Sequence, residues 1–211
     1  MLRPILSVVF SLSGFAALLY QVVWQRALFA IFGINVESVT VVVTAFMLGL
    51  GLGSLAGGVL SKRDRWPALL VFAALELGIG VFGFFSLGIF DAVGRATLTA
   101  PPAITAAVTF GLVLLPTLMM GATLPLLVAH LVRRSGNVGR SVGLLYFVNT
   151  LGSALASFAG VMWLLPHLGQ HGTVRAAALV NILVSASGLA LHVALGKREP
   201  LAPASATEVT S

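Results

Sequence analysis

The sequence predicts an all-α integral membrane protein with six transmembrane helices. Three observations support this fold class: six long apolar blocks, a composition poor in charge, and basic residues that collect in alternate gaps between the blocks. The chain of 211 residues is 58% hydrophobic and 9% charged, with a mean hydropathy of +1.06. Soluble domains carry about a quarter charged residues, so the composition excludes a soluble globular protein.

The six blocks occupy residues 4–32, 38–60, 66–90, 102–132, 141–165 and 173–195. Each is long enough to cross a hydrocarbon core of about 30 Å as a helix. The gaps between them are too short to hold a further domain. We therefore expect one membrane domain over residues 1–196, followed at 197–211 by a disordered cytoplasmic tail rich in proline and small polar residues.

The distribution of basic residues predicts the orientation. Short loops rich in lysine and arginine stay on the cytoplasmic side of a membrane. Nine of the 12 basic residues fall at the two termini and in two alternate gaps: Arg3, Lys62, Arg63, Arg65, Arg133, Arg134, Arg140, Lys197 and Arg198. The other three are Arg26, Arg95 and Arg175. Both termini are therefore expected in the cytoplasm, which requires an even number of spans.

The net charge of +6 is explained by these loops, which lie beside anionic lipid head groups, and it does not indicate nucleic acid as a partner. The absence of cysteine excludes disulfides, thiolate metal sites and thiol nucleophiles. No catalytic nucleophile, metal ligand set or cofactor-binding loop is recognisable in the sequence. The lipid bilayer is accordingly the first partner that the sequence predicts, and we expect no catalytic, cofactor-binding or metal site.

The first span ends in a segment that is expected at the outer membrane interface. Tyr20, Gln21, Trp24 and Arg26 lie about 25 Å or more from the cytoplasmic start of the helix, counted by helical rise. Tyrosine and tryptophan commonly form a belt at that level, and Arg26 could pair with Glu37 across the short loop. The same residues could instead form the outer mouth of a cavity.

The second span carries glycines at intervals of four residues. Gly49, Gly53 and Gly57 form a stripe on which another helix backbone can approach closely, either as a static contact or as a sliding interface. The fifth span repeats this pattern more weakly around Gly152. Both spans contain a Leu-Gly-Ser triplet, at 52–54 and 151–153, which is compatible with a repeat of three helices in inverted topology.

The fourth block is longer than a membrane requires and contains Pro116, Gly121 and Pro125. Proline lacks an amide donor and clashes with the preceding turn of a helix. The pattern predicts either a broken helix that lines a cavity and acts as a gate, or a simple kink.

Glu76 is the one acidic residue well inside a predicted span, at the depth of the bilayer centre. Asn149 and Asn181 reach a similar depth in the fifth and sixth spans. A carboxyl group there is costly unless it is protonated, paired or wet, so the three residues form a candidate intramembrane polar site. The site could bind a cation or a proton, or it could lock the helices together.

Several of these segments resemble the membrane domain of bacterial membrane-bound spermidine synthases. The resemblance rests on 20–26, the glycine-rich stretch 46–58, Glu76, 115–125, Tyr146 with 149–152, and 165–169. It implies a half major-facilitator-like bundle in the bacterial inner membrane. In that family a soluble aminopropyltransferase domain follows, which moves an aminopropyl group onto putrescine. This chain has no Gly-Gly-Gly-Asp-Gly-type loop, so we expect no aminopropyl transfer by the chain alone.

Two functions remain open at this stage. The first is a membrane module that binds or moves a small cation, with a polyamine as the leading choice, or that serves a polyamine-synthesis partner. The second is a scaffold that docks a soluble aminopropyltransferase or a larger membrane complex through its basic cytoplasmic loops. A homodimer would double the single carboxylate available to a polyamine.

Overall fold

A computed structural model of the chain describes residues 2–32, 35–62 and 66–196. Within these ranges the fold is entirely helical and contains no strand. The helices are α1 (Leu2–Phe32), α2 (Asn35–Ser61), α3 (Ala68–Ala96), α4 (Pro102–Ser135), α5 (Val138–Ala159) and α6 (Leu165–Gly196). A π-helical turn, Gly160–Leu164, joins α5 to α6. The expected tail, 197–211, and two of the basic loop residues, Arg63 and Arg65, lie outside the described residues.

Five continuous helical segments in this part of the chain are long and apolar enough to cross a membrane, rather than the six predicted. They are Arg3–Ile31, Ser38–Ser61, Ala68–Ala96, Pro102–Ser135 and Val138–Leu195. The difference arises because helical residues run up to a kink at Gly169 from both sides, in place of the longer loop predicted between residues 165 and 173. Helical structure continues through this region, and only Gly169 departs from helical geometry, with φ of 65° and ψ of −174°.

The contacts between helices establish the direction in which each one runs. Along α1, residues 10 and 14 bond to residues 149 and 153 of α5, so these two helices are parallel. Residues 13 and 24 of α1 bond to residues 76 and 86 of α3, which is therefore parallel to both. Residues 73 and 76 of α3 bond to residues 185 and 181 of α6, which runs the opposite way. The chain thus reverses direction between α5 and α6.

Tyr20 and Trp24 lie in the core of the bundle, which corrects their predicted place at an outer interface. Both are completely buried, and their rings stack with centroids 5.0 Å apart. The Trp24 Nε1 group donates a hydrogen bond of 2.9 Å to Ser86 Oγ on α3. Helical rise gives the depth of a residue but not the face on which it lies, and these two residues share the face that packs on α3.

Their predicted neighbours lie elsewhere on α1. Gln21 is half-buried and Arg26 is exposed. The predicted pair of Arg26 and Glu37 includes the Glu37 side chain, which lies outside the part of the chain that the structure describes.

Helix α4 is continuous from Pro102 to Ser135, with Pro116 and Pro125 inside it, so the predicted helix break is absent. The Thr117 hydroxyl is within hydrogen-bond distance of two carbonyl oxygens of its own helix, at Val113 and Leu114, and of Ala45 O on α2. Of the two predicted alternatives, a break is not seen, and the helix runs through both prolines.

The glycine stripe of α2 faces α4 at very short range. A methyl group added at Gly49 would overlap Thr117 Oγ1, and one added at Gly53 or Gly57 would overlap a carbonyl oxygen of α4. Gly121 meets the backbone of α2 in return, and Gly152 of α5 meets the Ser11 carbonyl of α1 in the same way. Two pairs of parallel helices, α2 with α4 and α1 with α5, are thus in backbone contact.

The described basic loop residues lie at the end of the bundle where α2 and α4 terminate. Lys62, Arg134 and Arg140 are exposed, and Arg133 donates a hydrogen bond to the Ser61 carbonyl. This contact connects the ends of α2 and α4. Asn137 begins α5 by accepting a hydrogen bond of 2.9 Å from the Arg140 amide.

Substitution of single glycines on α2 tests the backbone contact with α4. We expect Gly53→Ala to lower the free energy of unfolding by about 1–3 kcal/mol, because the added methyl group overlaps α4. Gly51→Ala is the matched control, since nothing lies within 4 Å of its added methyl group. The control should be neutral or stabilising by up to about 1 kcal/mol through helix propensity. Thermal unfolding in detergent measures both, and equal effects would contradict the packing described.

Candidate intramembrane polar site

The carboxyl group of Glu76 joins three helices at the centre of the bundle. Its side chain is fully buried. Ser13 Oγ of α1 donates a hydrogen bond of 2.6 Å to Glu76 Oε1, and Asn181 Nδ2 of α6 donates one of 2.5 Å to Oε2. Each carboxyl oxygen therefore has one neutral donor, from a different helix. This hydrogen-bonded set, Ser13, Glu76 and Asn181, is called the carboxyl cluster below.

Local sequence explains why α3 can hold this cluster. Gly80 lies one turn beyond Glu76, and an added methyl group there would come within 3.1 Å of the Ala178 carbonyl of α6. The small residue therefore lets α6 approach closely enough for Asn181 to reach the carboxyl group. Ala73 lies one turn before Glu76 on α3, and its carbonyl accepts a hydrogen bond of 2.6 Å from Ser185 Oγ of α6. Two polar contacts thus fix the register of α3 against α6.

The surroundings of the carboxyl group hold no compensating positive charge. The buried polar residues among those described are serines, threonines, Glu76 and Asn181, with no lysine, arginine or histidine. Two oxygen atoms are buried without a hydrogen-bond partner: Asn181 Oδ1, within the cluster, and the Tyr20 hydroxyl on α1. Unsatisfied buried polar atoms are costly, and both of these atoms are oxygens. The arrangement is chemically suited to a proton, a water molecule or a small cation.

Asn149, which the sequence groups with Glu76 and Asn181, belongs to a different contact. Its Nδ2 donates a hydrogen bond of 3.2 Å to the Phe10 carbonyl of α1. Ser153 follows one turn later and donates one of 3.0 Å to the Gly14 carbonyl. The predicted trio is therefore corrected: Asn181 contacts Glu76, whereas Asn149 lies on the other side of α1. Equal depth in two helices does not make their side chains neighbours.

A cavity of about 240 Å³ lies on this second side of α1, among α1, α2, α4 and α5. Its polar lining residues are neutral and include Ser13, Ser54, Thr123, Tyr146 and Asn149. Ser13 belongs both to this lining and to the carboxyl cluster. Ser13 therefore connects the lining of the cavity to the buried carboxyl group.

The sequence analysis did not identify Ser13. A lone serine in a transmembrane helix is ordinary and carries no periodic signal, so its role emerges only once α1 is placed beside α3. The nearest signal was indirect: Ser13 and Tyr20 are seven residues apart, which puts both on the face of α1 that packs on α3. No group of three metal-ligating side chains was found among the residues that the structure describes.

In its described residues, the protein is all-helical, with helices long and apolar enough to cross a membrane and one buried carboxyl group at the centre. The chain is similar to two proteins of Streptomyces coelicolor. It is 26% identical over 169 residues to polyamine aminopropyltransferase 1 and 31% identical over 173 residues to polyamine aminopropyltransferase 2.

Each alignment covers 79% of this chain, but the chain spans only 29% and 30% of the length of these relatives. No protein-family model matches the chain, and no solved structure matches it. The comparisons therefore establish a distant similarity to polyamine aminopropyltransferases.

Removal of one hydroxyl group tests the carboxyl cluster. We expect Ser13→Ala to lower the free energy of unfolding by about 1–3 kcal/mol, because Glu76 Oε1 loses its donor in a buried environment. Ser187→Ala is the matched control, since that hydroxyl bonds only to the Leu183 carbonyl of its own helix. Denaturant titration in detergent compares the two. Similar losses for both variants would show that the bond to Glu76 adds nothing.

Proposed function

We propose that the chain forms a membrane domain with six spans, in which α5 and α6 cross separately. The segment Val138–Leu195 contains 58 residues, or about 87 Å of helix at 1.5 Å per residue, far more than one crossing of about 30 Å. The reversal of direction between α5 and α6 and the non-helical Gly169 both support a turn near that residue. The excess of basic residues in alternate gaps supports cytoplasmic termini in a bacterial inner membrane.

The packing also supports two inverted repeats of three helices. Helix α2 packs on α4 as α5 packs on α1, and α3 contacts α4 as α6 contacts α1. If α1, α2 and α3 are exchanged with α4, α5 and α6, each of these contacts becomes its counterpart, as expected of two repeats. The two Leu-Gly-Ser triplets make equivalent contacts, because Gly53 packs against a carbonyl oxygen of α4 and Gly152 packs against one of α1. Such repeats are common in transporter folds, where ligands bind at the repeat interface.

We infer that this domain binds a cationic amine of the polyamine class in the cavity beside Ser13. The observation that carries this inference is the hydrogen bond from Ser13, a cavity-lining residue, to the otherwise uncompensated Glu76. The cavity contains hydroxyl and amide oxygens and an aromatic ring, Tyr146, but no basic side chain. Oxygen acceptors, an aromatic face and a nearby carboxylate all favour an ammonium group. The similarity to polyamine aminopropyltransferases supports the choice of amine.

A single carboxyl group limits what this site can do. It can balance one ammonium group, so a polyamine would place one end near Ser13 and leave its other charges outside the cavity. Such a site would hold a polyamine at the membrane or pass it to a partner, and it would not enclose the whole molecule. A second copy of the chain would supply a second carboxyl group.

The second candidate is a scaffold that docks a polyamine aminopropyltransferase or a larger membrane complex. The surface that such a partner would cover is the exposed apolar side of α2. Leu48, Leu52 and Leu55 lie exposed on this helix. In this case chemical crosslinking in native membranes should capture a protein at the α2 surface, and the purified chain should not bind polyamines.

Cysteine labelling tests the six-span topology, because the chain has no cysteine of its own. Single cysteines at Asn137 and in the tail should react with a membrane-impermeant maleimide only from the cytoplasmic side. Single cysteines at Thr99 and Gln170 should react only from the opposite side. If 138–195 crossed the membrane once, the tail and Asn137 would label from opposite sides.

Amine binding is tested with radiolabelled spermidine and the purified chain in nanodiscs. Glu76→Gln keeps the shape of the side chain and removes its charge, so we expect the dissociation constant to rise by about tenfold or more. Glu208→Gln is the matched control, because it makes the same change near the end of the chain, outside every proposed span. Binding that is unchanged in Glu76→Gln, or equally weakened in both variants, would contradict the proposed site.

A further inference from the structure

A second cavity lies away from the carboxyl cluster, at the end of the bundle where α1 and α3 terminate. Its volume is about 440 Å³. Three parts of the chain form it: the last turns of α1, the last turns of α3 with the following turn, and the start of α6. None of its lining residues belongs to the amine site proposed above, so its chemistry must be considered independently.

The floor of this cavity is apolar. Leu87 and Phe90 of α3 are buried beneath it, and Ile31 of α1 forms part of its wall. Leu98, in the turn after α3, also lines it and is 81% exposed, an unusual degree of exposure for a leucine. This leucine and the buried floor give the cavity an apolar surface that suits the apolar part of a ligand.

The rim, in contrast, carries both signs of charge. Asp91 and Arg95 lie one turn apart on α3 and form an ion pair through Asp91 Oδ2 and Arg95 Nη1. Both side chains are 66% exposed, so the pair is weak and leaves Asp91 Oδ1 and most of the guanidinium donors available. Gln170 and His171 of α6 line the same cavity. The rim therefore offers a carboxylate for a cation and a guanidinium, an amide and an imidazole for an anion.

We propose that this cavity binds a zwitterionic phospholipid with a primary ammonium group, of the phosphatidylethanolamine class. The phosphate group would be bound by Arg95 and His171, and the ammonium group by Asp91. The acyl chains would lie along Ile31, Leu87 and Leu98. In the membrane topology proposed above, on which this assignment rests, the rim at the ends of α1 and α3 would lie at the level of the lipid head groups. Charge complementarity selects the head group, and the apolar floor selects a lipid over a soluble molecule.

The experiment uses the full chain in detergent micelles and measures retained lipids by native mass spectrometry. Phosphatidylethanolamine, phosphatidylcholine and phosphatidylglycerol with identical acyl chains are added in turn. Phosphatidylcholine has no ammonium hydrogen to donate, and phosphatidylglycerol has no cation for Asp91. We expect phosphatidylethanolamine to be retained about tenfold more than either, the effect of one charge-assisted hydrogen bond.

Two variants and a control locate the binding. Asp91→Asn should remove the preference for phosphatidylethanolamine over phosphatidylcholine, and Arg95→Gln should lower the retention of all three lipids. Arg26→Gln, which removes an exposed charge of α1 that does not line the cavity, should change neither. All three positions are exposed, so folding should be preserved. Equal retention of the three lipids, or an equal effect of Arg26→Gln, would overturn the proposal.

Soluble phosphoethanolamine separates a lipid site from a head-group site. It carries the same charges without acyl chains, so it should compete with the bound lipid at least about tenfold less effectively than a short-chain phosphatidylethanolamine. Equal competition would overturn the assignment of the apolar floor to acyl chains. Because no variant here touches Ser13 or Glu76, the outcome does not depend on the amine site.

Discussion

The fold depends on one constraint: a carboxyl group buried among apolar helices without a positive partner. Every donor that reaches Glu76 among the described residues is neutral, and the two donors come from α1 and α6. The carboxyl group thereby fixes three helices in one register, because neither Ser13 nor Asn181 could move by a turn without leaving a buried oxygen unsatisfied. The glycines of α3 serve this constraint, since Gly80 allows α6 to come close and Gly83 accommodates the ring of Tyr20.

A second kind of contact, backbone on backbone, organises the rest of the bundle. Burial of apolar surface gives little driving force between helices inside a bilayer, so close packing and polar contacts must hold them together. The stripes at Gly53 and Gly152 bring α2 onto α4 and α5 onto α1, and the hydroxyls of Thr117 and Ser153 add hydrogen bonds at the same contacts. Close packing and polar contacts thus act together at these two helix pairs, and the proposed amine cavity lies among the four helices that form them.

The sequence predicted the helical class, the approximate extent of most spans and the burial of Glu76 from hydropathy and composition. It failed where the answer depends on which face of a helix points inward. Tyr20 and Trp24 were expected at an interface because depth follows from helical rise, but both are in the core. Asn149 was grouped with Glu76 for the same reason. Pro116 and Pro125 were expected either to break α4 or to kink it, and the helix is continuous through both. Ser13 was missed because no local pattern marks it.

The relation between the two cavities follows from where the charges lie. The cavity beside Ser13 has a neutral lining and receives its negative character from Glu76, on the far side of a hydroxyl group. The cavity at the ends of α1 and α3 has its charges on its own rim, where water and lipid head groups can screen them. An ammonium group would therefore be bound more selectively in the first, because a carboxylate acts more strongly at low dielectric. The second is better suited to a ligand that carries both charges and an apolar part, since its rim provides a partner for each.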